Sequence, residues 1–256
     1  MGKHEPAGIT DAAKKKGTNH NAIIALILIL VGLGVLLYPV VATQWNNYNQ
    51  SRAAEEYAKL EKQAPPEILH TAWDEAQSYN AQLGQISVGD AWTTTDDEDS
   101  PEYQRYRQYL SVLSETDAMG RIVIPSIDSD LPIYHGTSEK VLSRGAGHLY
   151  GTDLPVGGVG EGEGRHAALS AHTGLQNATL WDNLTKVKKG DAFYIAAGGE
   201  KLKYEVHDIR VVEPADTSSL HREADQDLIT LITCTPYGVN THRLLVTGHR
   251  LSLIHI

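Results

Sequence analysis

The chain is 256 residues long and carries 32 acidic against 22 basic residues, a formal net charge of −10. That acidity argues against nucleic acid as a partner. A single Cys excludes a disulfide framework and cannot supply the Cys pair of a structural zinc finger, so neither a metal nor another cofactor is expected.

Residues 1–21 form a polar tail with Lys14, Lys15 and Lys16, followed by the uninterrupted apolar run Ala22–Val41. Twenty residues span about 30 Å as a helix, which matches the hydrocarbon core of a bilayer. Lysines before the run, against only Arg52 and Lys59 soon after it, place the N-terminus in the cytoplasm and everything beyond Val41 outside. The competing reading is a cleavable signal peptide, since Val40-Val41-Ala42 resembles a cleavage site. The run is longer than a usual signal h-region, which favours an uncleaved single-pass anchor in the cell membrane.

Residues 42–84 are rich in Ala, Glu, Gln, Lys and Leu, and Pro65-Pro66 divides them into two helices. Their expected role is a stalk and packing collar. Residues 85–101, with Gly89, the acidic stretch Asp96-Asp97-Glu98-Asp99 and Pro101, keep no helical or strand period and read as a loop, long for a compact domain. Trp92 within it is a large aromatic that needs a pocket. Tyr103–Leu113 reads as a short helix.

Beyond Gly120 the texture is β. Eight short apolar or alternating runs, Arg121–Ile127, Leu131–Tyr134, Gly147–Tyr150, His166–Ala171, Asp191–Ala196, Lys201–Val212, Asp227–Thr233 and Arg243–Leu251, are separated by turn residues. Thr179–Val187 interrupts them as an expected helix. Many short strands imply a barrel or a sandwich rather than a βαβ sheet, placed at residues 102–256.

The stretch Thr230–Arg243 holds the one cysteine. Strand, loop and strand there, paired antiparallel, bring Cys234 beside Arg243 across nine positions. A free thiol with a pKa near ~8.5 is mostly protonated at neutral pH, and a neighbouring cation favours the nucleophilic thiolate or binds an oxyanion. The bland reading is a small buried hydrophobe. An unpaired cysteine in an oxidising compartment is instead an intermolecular linker or a reactive thiol. Thiol nucleophiles are commonly activated by histidine. His172 ends an apolar strand beside a loop, as Cys234 does, while His135, His148, His166 and His242 stay open as rivals.

The segments 124–158, His166–Leu175 and Thr230–Arg250 (TLITCTPYGVNTHRLLVTGHR) resemble sortases, specifically the pilus-assembling class C group, over roughly residues 119–250. The resemblance implies a closed eight-stranded β-barrel, with His172, Cys234 and Arg243 matching the family's catalytic histidine, cysteine and arginine. It implies a cysteine transpeptidase that cleaves an LPXTG-like signal between Thr and Gly and joins the acyl group to a pilin lysine. The partners it implies are pilins or other surface proteins bearing such signals. Class C enzymes are similar in carrying a lid with an Asp, Pro, aromatic motif; Asp90, Ala91 and Trp92 stand at that place without the proline. Asp90 is expected to pair with Arg243 and Trp92 to cover Cys234. Class C sortases commonly end in a second membrane segment, whereas LSLIHI follows Arg250, so this member uses one anchor or its sequence is truncated. The alternatives are a sortase of another class attaching proteins to peptidoglycan, a cysteine hydrolase, and a membrane-tethered binding module with an inert Cys234.

Overall fold

The computed structural model describes residues 20–83, 101–159 and 162–251. The chain divides into two compact units, one ending at Pro39 and the other beginning at Val40. Within the first, the side chains of residues 20–39 are exposed, and the helix to which they belong is long and apolar enough to cross a membrane.

That helix is α1 (His20–Gln63). Pro65 stops it, because proline disfavours helix in the residue before it, and Pro66 then opens α2 (Pro66–Gln82) at a helical position where its missing N–H is not needed. Glycine and acidic residues precede α3 (Pro101–Ser111), again opened by proline. The two helices expected after the apolar run correspond to the end of α1 and all of α2.

Eight strands follow: β1 (Gly120–Ile124), β2 (Ser129–His135), β3 (Ala146–His148), β4 (Arg165–Ser170), β5 (Ala192–Ala197), β6 (Glu200–Val212), β7 (Asp227–Thr235) and β8 (His242–Arg250). They close into one barrel in the order β1-β2-β3-β4-β7-β8-β6-β5, the architecture that the motifs implied. Closure removes the open edges that an antiparallel sheet would otherwise expose. Each expected run corresponds to a strand, with differences at the ends. Arg121–Ile127 turns at Pro125 into a single 3-10 turn, which Asp128 closes in the left-handed region (φ 53°). Proline and aspartate suit those two positions, and β2 starts at once on the other side.

Alternation along the strands fills the barrel. Ile122 and Ile124 of β1, Ile133, Leu169, Ile195, Leu231 and Val246 are all at or below 1% exposure, so the interior is aliphatic with Phe193 stacked on Tyr204. Full burial of one such side chain stabilises by about 1.5–3 kcal/mol. Gly248 is what makes room for that stack: a Cβ there would lie 2.4 Å from the Phe193 ring.

The expected helix at Thr179–Val187 is corrected. The segment is a run of turns with one 3-10 turn, Leu184–Lys186, and Leu180 sits at φ 39°. Two features override its helical composition. The Asp182 carboxylate is occupied by the Thr173 hydroxyl and the Gly174 N–H, and Trp181 is fully buried, so this backbone follows its tertiary partners.

Candidate active site

The site stands on the junction of a parallel and an antiparallel pairing. β7 and β8 pair antiparallel from Leu228↔His249 to Thr235↔His242, and this register sets Cys234 directly opposite Arg243. β4 and β7 pair parallel from Arg165↔Asp227 to Ser170↔Ile232. The same offset carried two residues further brings the chain at His172 to the level of Cys234. The pairing does continue past Ser170: the Ala171 N–H donates to the Ile232 carbonyl (3.1 Å) and the Thr233 hydroxyl donates to the Ala171 carbonyl (2.8 Å).

Side-chain period 2 then decides the face. Cys234 lies on the outer face with Ile232, and Arg243 with Leu245; these four, His172 and Ala171 line one cavity of about 600 Å³. Its floor is an apolar cluster on the outside of the barrel in which Leu220, Ile232, Leu245 and Ala168 pack together. The β6–β7 connection, Pro214 to Thr217, forms a wall. The lining mixes apolar side chains, Leu142, Leu149, Ile232 and Leu245 among them, with the thiol, the imidazole, the guanidinium and the polar Thr137, Ser170 and Asp216.

Cys234 is a free, half-buried thiol. Arg243 donates through Nη1 to the backbone carbonyls of Asn240 (3.2 Å) and His242 (3.1 Å). Both acceptors are neutral, so the guanidinium can exchange them for another oxygen without breaking an ion pair. Asn240 turns the loop in the left-handed region (φ 61°), which asparagine tolerates.

The ring of His172 is 21% exposed and its Nε2 lies 3.2 Å from Glu139 Oε2. A carboxylate only accepts, so Nε2–H is the donor of this contact. Glu139 opens α4 (Glu139–Leu142), whose N-cap Ser138 accepts from the Val141 N–H. The segment after His172 turns at Gly174 (φ 80°), where an L side chain is disfavoured.

The four rival histidines lie elsewhere. His148 and His166 are buried with both ring nitrogens in hydrogen bonds: Tyr109 Oη and the Asp153 carbonyl for His148, the His221 carbonyl and Thr230 Oγ1 for His166. Burial lowers the pKa of both, that of His148 to about 4. His135 points at the Val112 carbonyl and His242 at Thr241. Among the five, His172 is the one on the cavity with Cys234. Asp90 and Trp92 lie outside the described residues. Among the described residues no group of three or more His, Cys, Asp or Glu is placed to hold a metal.

Residues 122–251 match the family described as the sortase domain. Among solved structures, the chain is 49% identical to sortase C-1 from Actinomyces oris, with a TM-score of 0.66 over 73% of this chain and 99% of that one. It is 37% identical to Streptococcus pneumoniae sortase C, with a TM-score of 0.69 over 78% and 97% of the two chains. It is also 30% identical to the sortase A of Bacillus anthracis across 53% of this chain and 61% of the relative. The chain spans 51% to 65% of the length of the curated relatives it matches. The class C resemblance of the motifs is matched by these solved structures, and the family match runs from Ile122 within β1 past the end of β8. The chain belongs to the sortase family.

Proposed function

We propose that this protein is a membrane-anchored class C transpeptidase that cleaves an LPXTG-like sorting signal between Thr and Gly and joins the acyl group to a pilin lysine. The observation that carries this reading is that Cys234, His172 and Arg243 line one cavity, with Cys234 paired directly opposite Arg243. Likeness to solved sortase C structures supports it. The Cys234 thiolate attacks the Thr carbonyl carbon, and the carbonyl electron pair moves onto oxygen. Arg243 donates to that oxyanion, a form of stabilisation that matters most where charge develops. His172, protonated, gives its proton to the Gly nitrogen as the C–N bond breaks, leaving a thioester on Cys234.

The lysine amine then attacks the thioester and yields its proton to His172. Cys234 departs as thiolate and an isopeptide bond remains. The apolar floor beside Cys234, Ile232 and Leu245, suits the leucine of the signal, a few residues before the scissile bond. The apolar stretch of α1 anchors the enzyme, with the barrel outside the cell.

A second reading, transfer to a peptidoglycan amine, is favoured by the relatives named sortase A. Product identity separates the two. Full-length enzyme in membranes is given an LPXTG peptide with a lysine-bearing pilin domain and, separately, with a peptidoglycan-stem peptide. The proposal expects loss of the Gly-side fragment and a Thr–lysine isopeptide on the pilin, read by mass spectrometry. Product confined to the stem peptide favours the second reading, and free Thr carboxylate at saturating amine makes the protein a hydrolase.

A further inference from the structure

His172 is held directly by a weak contact. Its partner Glu139 is 72% exposed, and an ion pair so exposed fixes a ring poorly. What does fix it is the segment that follows. Residues 172–181 leave β4 and return, the Trp181 N–H donating to the carbonyl of His172 itself (3.1 Å). Asp182 Oδ1 closes the same excursion by accepting from Thr173 Oγ1 (3.0 Å) and the Gly174 N–H (2.7 Å).

The far side of this loop is gripped by α1. Thr43 Oγ1 donates to the Gln176 carbonyl (3.3 Å) and Asn46 Nδ2 to the Asn177 carbonyl (2.7 Å). Asn47 makes a reciprocal pair: its Nδ2 donates to Thr179 Oγ1 (2.8 Å), and its Oδ1 accepts from the Thr179 N–H (3.0 Å). Thr43, Asn46, Asn47 and the buried Gln50 are spaced i, i+3, i+4 and i+7, so they form one stripe on one helix face. A stalk helix free of such duty would present a solvated face here. Instead its polar groups satisfy the backbone of one loop, and that loop begins at His172. Ala178, Leu180 and Trp181 are buried at 5% exposure or less, so the grip acts on a packed segment that transmits displacement.

We propose that Asn47, with Thr43 and Asn46, is a positioning residue for His172: the first turns of α1 beyond the apolar run clasp residues 176–179 and thereby set where the imidazole stands relative to Cys234. The inference rests on the catalytic role given to His172 above. It makes the membrane-proximal turns part of the catalytic apparatus, with no contact to substrate.

The test uses the full-length chain in membranes and compares wild type, Asn47→Ala, Thr179→Val, Thr179→Ser, the double variant Asn47→Ala/Thr179→Val and His172→Ala. Acyl-enzyme formation with an LPXTG peptide is measured alongside the pH profile of Cys234 alkylation by iodoacetamide. Asn47→Ala lowers kcat roughly tenfold, the scale of a small misplacement of a catalytic group, with KM unchanged. Thr179→Val acts in the same direction, Thr179→Ser restores the rate through its hydroxyl, and the double variant Asn47→Ala/Thr179→Val is no worse than Asn47→Ala, as for a single coupled unit. The alkylation profile of Asn47→Ala moves towards that of His172→Ala. Wild-type kcat and an unshifted profile in Asn47→Ala overturn the proposal. If the wild type itself forms no acyl-enzyme, the functional reading fails, and the clasp stands or falls on the alkylation profile.

Discussion

Cys234 and Arg243 meet because a nine-residue separation is folded back by Pro236 and Gly238 into an antiparallel pair, and that juxtaposition was readable from the residues between them. His172 was not singled out in the same way. Its position depends on a parallel pairing between β4 and β7, strands about sixty positions apart, and nothing local in either strand announces such a partner. The stripe Thr43, Asn46, Asn47 and Gln50 went unread in the sequence, where the segment was expected only as a stalk and packing collar, because its meaning depends on the loop that it touches. The role of Arg243 is testable on its own. Arg243→Ala lowers acyl-enzyme formation by about 100-fold or more, the usual loss of an oxyanion donor, with the melting temperature unchanged because the side chain is half-exposed. Arg243→Lys recovers only part of the rate, since an ammonium lacks the planar fork. A wild-type rate in Arg243→Ala takes the guanidinium out of the chemistry.

Among the elements, α2 and α3 are pinned to the barrel by buried polar groups. Asn80 of α2 takes both the N–H and the carbonyl of Leu154, and Tyr109 of α3 accepts from the Gly136 N–H. The Nε2 of His148 donates to the Asp153 carbonyl, so its Nδ1 accepts the Tyr109 hydroxyl proton. That arrangement requires neutral His148, and burial holds its pKa down from the usual 6.5 to about 4. The unfolded chain therefore binds more protons than the folded one in that interval, and stability falls as pH drops from about 6.5 towards about 4. For a fully buried ring the whole loss is on the order of 3 kcal/mol. Chemical denaturation of wild type and His148→Gln from pH 7 to pH 4.5 checks it: the variant, which cannot titrate, shows a shallower slope. Equal slopes remove His148 from the acid sensitivity. The Thr179–Val187 segment teaches the converse lesson, since helical composition there yielded to one aspartate and one buried tryptophan.

At the scale of the whole molecule, strand existence was legible because each run is short, apolar or alternating and bounded by turn residues. The closed order was not, because β6 pairs with β8 and β4 with β7 across long connections, which no local pattern specifies. It was the family's motifs that carried the barrel. The same closure brings the ends of β4, β7 and β8 together, so thiol, imidazole and guanidinium line one cavity. The central claim is that Cys234 there becomes acylated by a sorting signal. The most direct measurement is intact mass of the full-length protein after incubation with LPXTG-type peptides, beside Cys234→Ala. The account predicts a mass increase equal to the peptide's acyl portion, lost on adding an amine and absent in Cys234→Ala. A folded protein with an accessible thiol and no adduct across the panel would contradict it and leave Cys234 without a covalent role.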